Sequence, residues 1–255
     1  MLHSQQILAY LKRIQYHGDL SPSLTLLKNL QQQHLFHIPF ENLDIHRGVR
    51  IELDTERIYQ KLVVNRRGGF CFELNGLFYE LLTSLGFRVK IVSAIVMDED
   101  RTWTPEYDHM SLVVNIEGTD YLSDAGFGRF SFWPIKLAPT LVQEDQEGKF
   151  RVESGPAERL VIAKWDGADW QPEFAFHNQG VAYEAFAGRC AYHQDDPGSH
   201  FLKQRVITMP SEQGRLTLTD KEFKITRAGE TFHAVAIKDE ADFMAKLREN
   251  FGVEI

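Results

Sequence analysis

At Gly86 the periodicity of this chain changes, and that change constrains the fold more than any other feature. Ahead of it, Leu74, Leu77, Phe78, Leu81, Leu82 and Leu85 recur at i, i+3, i+4, i+7, i+8 and i+11, the apolar face of one helix. Beyond it, Arg88 to Met97 is rich in Val and Ile, the signature of a buried strand. Helices thus gather in the first third and strands follow, which is the segregation of an α+β protein.

The helical third contains three earlier candidates. Residues 4–16 read as a helix with Ser4 as N-cap and Ile7, Leu8, Leu11 and Ile14 on one face. Ser21-Pro22 gives a capping serine followed by proline at the first helical position. Leu24, Leu27, Leu30 and Leu35 make the following helix amphipathic. His34 and His37 stand at i, i+3, but no third ligand has matching spacing, so no metal is expected. Residues 38–53 are irregular or extended, because Pro39 breaks the helix before it. Asp54 or Thr55 caps a third helix running to about Val64.

After Gly86 the strands are short. Met110–Ile116 and Tyr121–Ser123 flank a Gly-containing turn at residues 117–120, a hairpin. Further strands are expected around 150–153, 159–164 and 205–208. A second hairpin joins Leu216–Leu218 to Phe223–Ile225. So many short strands suggest a small antiparallel barrel or strongly curled sheet. A helix from about Asp239 to Asn250 closes the chain. The divisions fall near 86 and near the turn-rich Asp195-Asp196-Pro197-Gly198-Ser199, giving parts 1–86, 87–195 and 196–255.

Composition excludes several classes. A net charge of −8 over 255 residues argues against a nucleic-acid partner. Two cysteines, Cys71 and Cys190, are too few for a disulfide scaffold and fit a reducing compartment. The N-terminus lacks the basic and apolar regions of a signal peptide, and no apolar run approaches a membrane span. A soluble cytoplasmic protein with no membrane partner is expected; oligomeric state is open.

Cys71 follows Gly68-Gly69-Phe70 and opens the periodic helix. Unpaired N–H groups and the positive end of the helix dipole favour a thiolate there. Such thiols ionise at about pH 3.5–7.5 rather than about 8.5. A buried structural cysteine is the competing reading. A cysteine nucleophile needs a proton acceptor, and His109 stands out at the mouth of the strand Met110–Val114. Asp124 closes the partner strand of the same hairpin, where it can orient that imidazole. Gly126-Phe127-Gly128 follows directly, a loop that lets backbone approach a ligand. A cysteine hydrolase, protease-like or transglutaminase-like, would use the same three residues, and residue types alone do not separate it from a transferase.

Arg67-Gly68-Gly69-Phe70-Cys71-Phe72-Glu73-Leu74-Asn75 resembles the active-site motif of the arylamine N-acetyltransferases. Pro39-Phe40-Glu41-Asn42-Leu43, Asp124-Ala125-Gly126-Phe127-Gly128 and Pro197-Gly198-Ser199-His200-Phe201 resemble family stretches in the same order. The resemblance implies a papain-like body in three parts: an N-terminal helical bundle, a central β-barrel and a C-terminal α/β lid. It implies a two-step exchange in which Cys71 takes an acetyl group from acetyl-CoA and passes it to an arylamine or arylhydrazine. It places Gly126, Phe127 and Gly128 beside CoA, and Phe40, Phe127 and Phe201 around the acceptor. Arg67 and Glu41 would be a structural ion pair bracing the nucleophile's turn. Glu73 reads as a first-turn helix residue, solvated or matched to the dipole. The C-terminal part is short for the family, which leaves the adenosine contacts of CoA open. Phe130-Ser131-Phe132-Trp133 stands where it would reshape the acceptor side.

Overall fold

The step from helix to sheet occurs where the periodicity changes. The computed structural model describes residues 1–98, 100–211, 214–227 and 229–255. Its first third contains helices α1 (Ser4–Arg13), α2 (Leu24–His37), α3 (Leu43–His46), α4 (Thr55–Tyr59) and α5 (Cys71–Ser84). A two-residue strand, β1 (Phe40–Glu41), precedes α3, and a π-helical turn over Gln60–Val64 continues α4. The stretch 38–53, expected to lack helix, therefore holds α3. On α5, Leu74, Leu77, Phe78, Leu81 and Leu82 are all buried in the largest core cluster, each contributing about 1.5–3 kcal/mol. Gly86 ends this region at φ +89°, a conformation a Cβ would disfavour.

Two N-caps differ from the expected ones by one or two residues. His3, not Ser4, caps α1: its Nδ1 accepts from Gln6 N–H at 3.3 Å while Gln6 Oε1 accepts from His3 N–H at 3.1 Å. Ser23, not Ser21, caps α2 by accepting from Leu26 N–H. The Ser21 hydroxyl is spent instead on the Asp19 carboxylate. Asp54 caps α4. His34 is buried against Tyr10, whose hydroxyl lies 2.8 Å from its Nδ1, and burial pushes its imidazole down to about 3.

Eight strands form the central sheet: β2 (Arg88–Val96), β3 (His109–Ile116), β4 (Thr119–Ser123), β5 (Ile135–Lys136), β6 (Gln143–Asp145), β7 (Gly148–Ser154), β8 (Leu160–Trp165) and β9 (Trp170–Phe176). Neighbouring strands pair antiparallel, in the order β5-β4-β3-β2-β9-β8-β7-β6. The two ends of this order meet and nearly close a barrel. The Gln143 side-chain amide accepts from Lys136 N–H and donates to Lys136 C=O, and Thr140 N–H reaches Val152 C=O. Val92, Val113, Leu122, Phe150, Ile162 and Phe174 fill the interior. The β3–β4 turn is tighter than expected: only Glu117 and Gly118 lie outside the ladder, at φ +50° and +80°. Two left-handed residues match the strand twist.

A helix that periodicity does not show, α6 (Ala187–Asp195), leaves the barrel; its N-cap Phe186 and its Cys190 pack into the helical core. Four strands follow, β10 (Val206–Ser211), β11 (Gly214–Thr219), β12 (Glu222–Arg227) and β13 (Glu230–Ala236), then helix α7 (Glu240–Phe251). Their sheet has the order β1-β10-β11-β12-β13, so the first third supplies its edge, with Phe40 opposite Thr208. Phe243, Leu247 and Phe251 of α7 cover it together with Leu43. No described helix is long and apolar enough to cross a membrane.

Candidate active site

Cys71 is the first residue of α5, and Phe70 before it is the extended N-cap. The turn leading in lies against Pro39–Glu41: Gly69 N–H donates to Pro39 C=O and Glu41 N–H to Gly69 C=O. A Cβ on Gly68 would sit 2.2 Å from the Pro39 carbonyl oxygen, so only glycine permits this approach.

Beneath the turn lies a buried charge network. Arg67 Nη2 bonds Glu41 Oε1 at 2.7 Å and Asp44 Oδ1 at 2.9 Å. Lys61 Nζ bonds Asp44 at 2.9 Å and Glu73 at 2.8 Å. Glu73 Oε2 then accepts from Phe70 N–H at 3.1 Å, tying the network to the helix cap. Glu73 is therefore not solvated: it is 2% exposed, and burial raises its carboxyl against the pull of Lys61. A first-turn position alone does not show this, because Lys61 and Asp44 arrive from other helices.

His109 opens β3, and Asp124 follows β4, so the hairpin sets them side by side. His109 Nε2 lies 2.6 Å from Asp124 Oδ2. The other carboxylate oxygen accepts from Asn75 Nδ2 at 3.0 Å, Gly126 N–H at 2.8 Å and Phe127 N–H at 3.0 Å. Burial alone would raise the Asp124 carboxyl, but His109 and these donors hold it below its ordinary value. Asn75 joins this pair to the helix that Cys71 opens: it lies four residues after Cys71, one turn along the same helix face. Its Oδ1 also accepts from Ala125 N–H at 2.8 Å. Gly126 completes the junction, since a Cβ there would meet Cys71 Cα at 2.8 Å and the Asn75 amide at 2.9 Å. The i, i+4 spacing of Cys71 and Asn75 is a signal that sequence inspection could have used.

The thiol itself departs from expectation. Burial, then the carboxylates of Asp108 and Asp124, push the Cys71 thiol well above its ordinary value; the Phe72 N–H opposes them weakly. A helix N-terminus lowers a thiol that faces water, but here desolvation outweighs it.

The aromatic candidates separate into two groups. Phe40 and Phe201 meet at 6.0 Å between ring centroids, and Phe201 reaches Phe70 at 6.1 Å. Phe127 instead lies edge-on to His109 at 5.0 Å and against Phe174 at 4.9 Å. Phe127 also borders a cleft of about 1080 Å³ between the barrel and the second sheet, shared with Arg129, Glu147, Lys164, Glu173 and Arg215. Gly126 packs on Cys71, whereas the Gly128 carbonyl accepts from Arg215 of that cleft at 2.7 Å.

Residues 23–255 match the N-acetyltransferase family. An arylamine N-acetyltransferase of Escherichia coli is 31% identical over 96% of this chain and 88% of its own length. The chain belongs to the arylamine N-acetyltransferase family. Solved members share the fold: the Salmonella typhimurium arylamine N-acetyltransferase superposes with a TM-score of 0.92 over 99% of this chain and 92% of its own, at 27% identity. That of Mycobacterium marinum, solved in complex with CoA, gives 0.89 over 97% of this chain and 92% of its own, at 30% identity. The three-part architecture is thus that of the arylamine N-acetyltransferases, and this member is an acyltransferase.

Proposed function

We propose that this enzyme transfers acetyl groups from acetyl-CoA to the nitrogen of arylamines or arylhydrazines through an acetyl-Cys71 thioester. The observation that carries the reading is the Asn75–Asp124–His109 chain, which ties a carboxylate-oriented imidazole to the helix turn that begins with Cys71. A CoA-bound relative supports the donor.

In the first step the Cys71 sulfur attacks the thioester carbonyl. His109 takes the thiol proton, through Nδ1 because Nε2 is held by Asp124, and returns it to the departing CoA sulfur. The raised thiol makes this base necessary: an isolated thiolate is disfavoured, whereas an imidazolium formed beside it balances the charge. Asp124 stabilises that imidazolium and fixes its orientation. In the second step a neutral aromatic amine attacks the acetyl-enzyme, His109 collects its proton, and the amide leaves as the thiol re-forms. The first step exchanges one thioester for another; the second converts a thioester to an amide and runs downhill. The Cys71 N–H at the helix start serves as an oxyanion donor. Gly126, Phe127 and Gly128 border CoA, and Phe40, Phe127 and Phe201 suit a flat aromatic acceptor.

Mass spectrometry after mixing with acetyl-CoA, without acceptor, is expected to show one acetyl group on Cys71, discharged faster when an arylamine is added. An acetyl group on Cys190 would reverse the choice of thiol. Loss of the acetyl group to water, unaffected by amines, would replace the transferase with a cysteine hydrolase.

A further inference from the structure

Asp108 is 7% exposed, and the chemistry assigned to His109 and Asp124 does not use it. It immediately precedes His109, yet its carboxylate engages α6 rather than the barrel. Oδ1 is ion-paired with the Arg189 guanidinium and lies 3.2 Å from Nε2 of buried His193. The other His193 nitrogen lies 3.4 Å from Ser199 Oγ. The Arg189 guanidinium also lies over the Tyr192 ring, 3.9 Å from its centroid. This cluster adjoins the nucleophile's turn on both sides of Cys71. The Phe72 ring lies 6.0 Å from that of His193, and Phe70 reaches Phe201, itself 5.0 Å from His193. Tyr183, just ahead of α6, donates its hydroxyl to the Phe72 carbonyl at 2.9 Å.

A carboxylate beside a buried thiol opposes its ionisation, because like charges repel strongly where water is excluded. Asp108 is the first charged group after burial itself among those that push Cys71 up. Its own carboxyl is held well below the ordinary range: burial would raise it, but His193 and Arg189 prevail. Asp108 therefore stays charged at every working pH, and the effect of that charge on the thiol depends on the cation opposite it. The other titratable groups that act on the Cys71 thiol are Asp124 from the hairpin and Cys190 from α6, and the thiol acts in turn on Tyr183.

We propose that Arg189 is a positioning residue for acyl transfer, which by neutralising Asp108 sets how readily Cys71 gives up its proton. The reading rests on Cys71 as nucleophile. Arg189 touches no reacting atom; it acts through Asp108, and helix α6 thereby takes part in the chemistry of α5.

The pH profile of Cys71 alkylation by iodoacetamide, followed on the full-length protein by peptide mass spectrometry, tests this without requiring acyl transfer. Arg189→Met is expected to move the profile up by about one pH unit, slowing alkylation at neutral pH about 10-fold. Arg189→Lys should restore it. Asp108→Asn should move it down, and the double variant should return it toward wild type. Opposite shifts are the signature, since loss of packing alone would not reverse sign between the two partners. Should Arg189→Met fail to fold, Asp108→Asn still decides. An unchanged or raised profile there, or equal profiles in all folded variants, overturns the proposal. Failure of acetyl-CoA to label Cys71 while these shifts persist would instead remove the nucleophile reading.

Discussion

The surroundings of Cys71 and Cys190 differ far more than the two thiols do. Both are buried, 4% and 3% exposed. Both are harder to ionise than a free thiol: burial and then Glu73 push Cys190 up to about 12, and burial pushes Cys71 up as well. The hydrogen-bond partners of Cys190 are the Gln194 amide at 3.3 Å and the Ile51 carbonyl at 3.8 Å. Neither group accepts a proton at working pH. Around Cys71 the same helix face carries Asn75, and through it the Asp124–His109 pair. On the proposed reading, thiol acidity does not single out the nucleophile; the imidazole held by Asp124 does.

The contrast breaks most directly at the sulfurs. Cys71→Ser is expected to lower arylamine acetylation by about 10³-fold or more, because a hydroxyl is a far poorer nucleophile without thiolate character. Cys190→Ser should leave turnover within a few-fold, and comparable losses in the two variants would erase the distinction. Next in size, His109→Gln and Asp124→Asn should each slow acetylation of Cys71 by about 10²–10⁴-fold, the usual contribution of a placed base. Stopped-flow release of CoA measures this.

The support beneath the thiol is expected to matter for stability rather than chemistry. Arg67→Met leaves Glu41 and Asp44 short of a cation in a buried site and should destabilise the fold by about 3–5 kcal/mol, read from urea denaturation. The smallest effect is a pH dependence. Asp108 and Asp124 have carboxyls lowered by folding, so their contribution is full above the unfolded value of about 3.9 and disappears as pH falls through the folded values. The melting temperature should therefore drop below about pH 4, and Asp124→Asn should flatten that slope. An unchanged slope would mean that Asp124 does not stabilise the Cys71 side.

What sequence alone revealed was local. The α5 period, the β3–β4 hairpin and the likeness of the Cys71 motif lie within short windows, and the hairpin register sets His109 beside Asp124. What stayed hidden depends on partners distant in the chain. Helix α6 contains a buried histidine and a half-buried arginine that no local pattern marks; Asp108 meets the arginine across 81 positions and the histidine as well. Glu73 looks exposed until Lys61 and Asp44 converge on it. Strand β13 is almost wholly exposed and has no alternation to read. The thiol's upward shift stayed hidden for the same reason: burial, its main cause, comes from packing across the chain, and the carboxylates that add to it come from the β3–β4 hairpin.

One more property follows from the π-helical turn at Gln60–Val64, where Asn65 N–H reaches back five residues to the Gln60 carbonyl. A single surplus residue in a helix rotates all that follows by about 100° relative to an unbroken one. Here that offset sets the direction in which the chain leaves the helix toward Arg67, relative to Lys61 within the turn. Shortening the turn by one residue would yield a more regular helix whose cations point elsewhere, so irregularity at this point is what keeps the geometry above it in register.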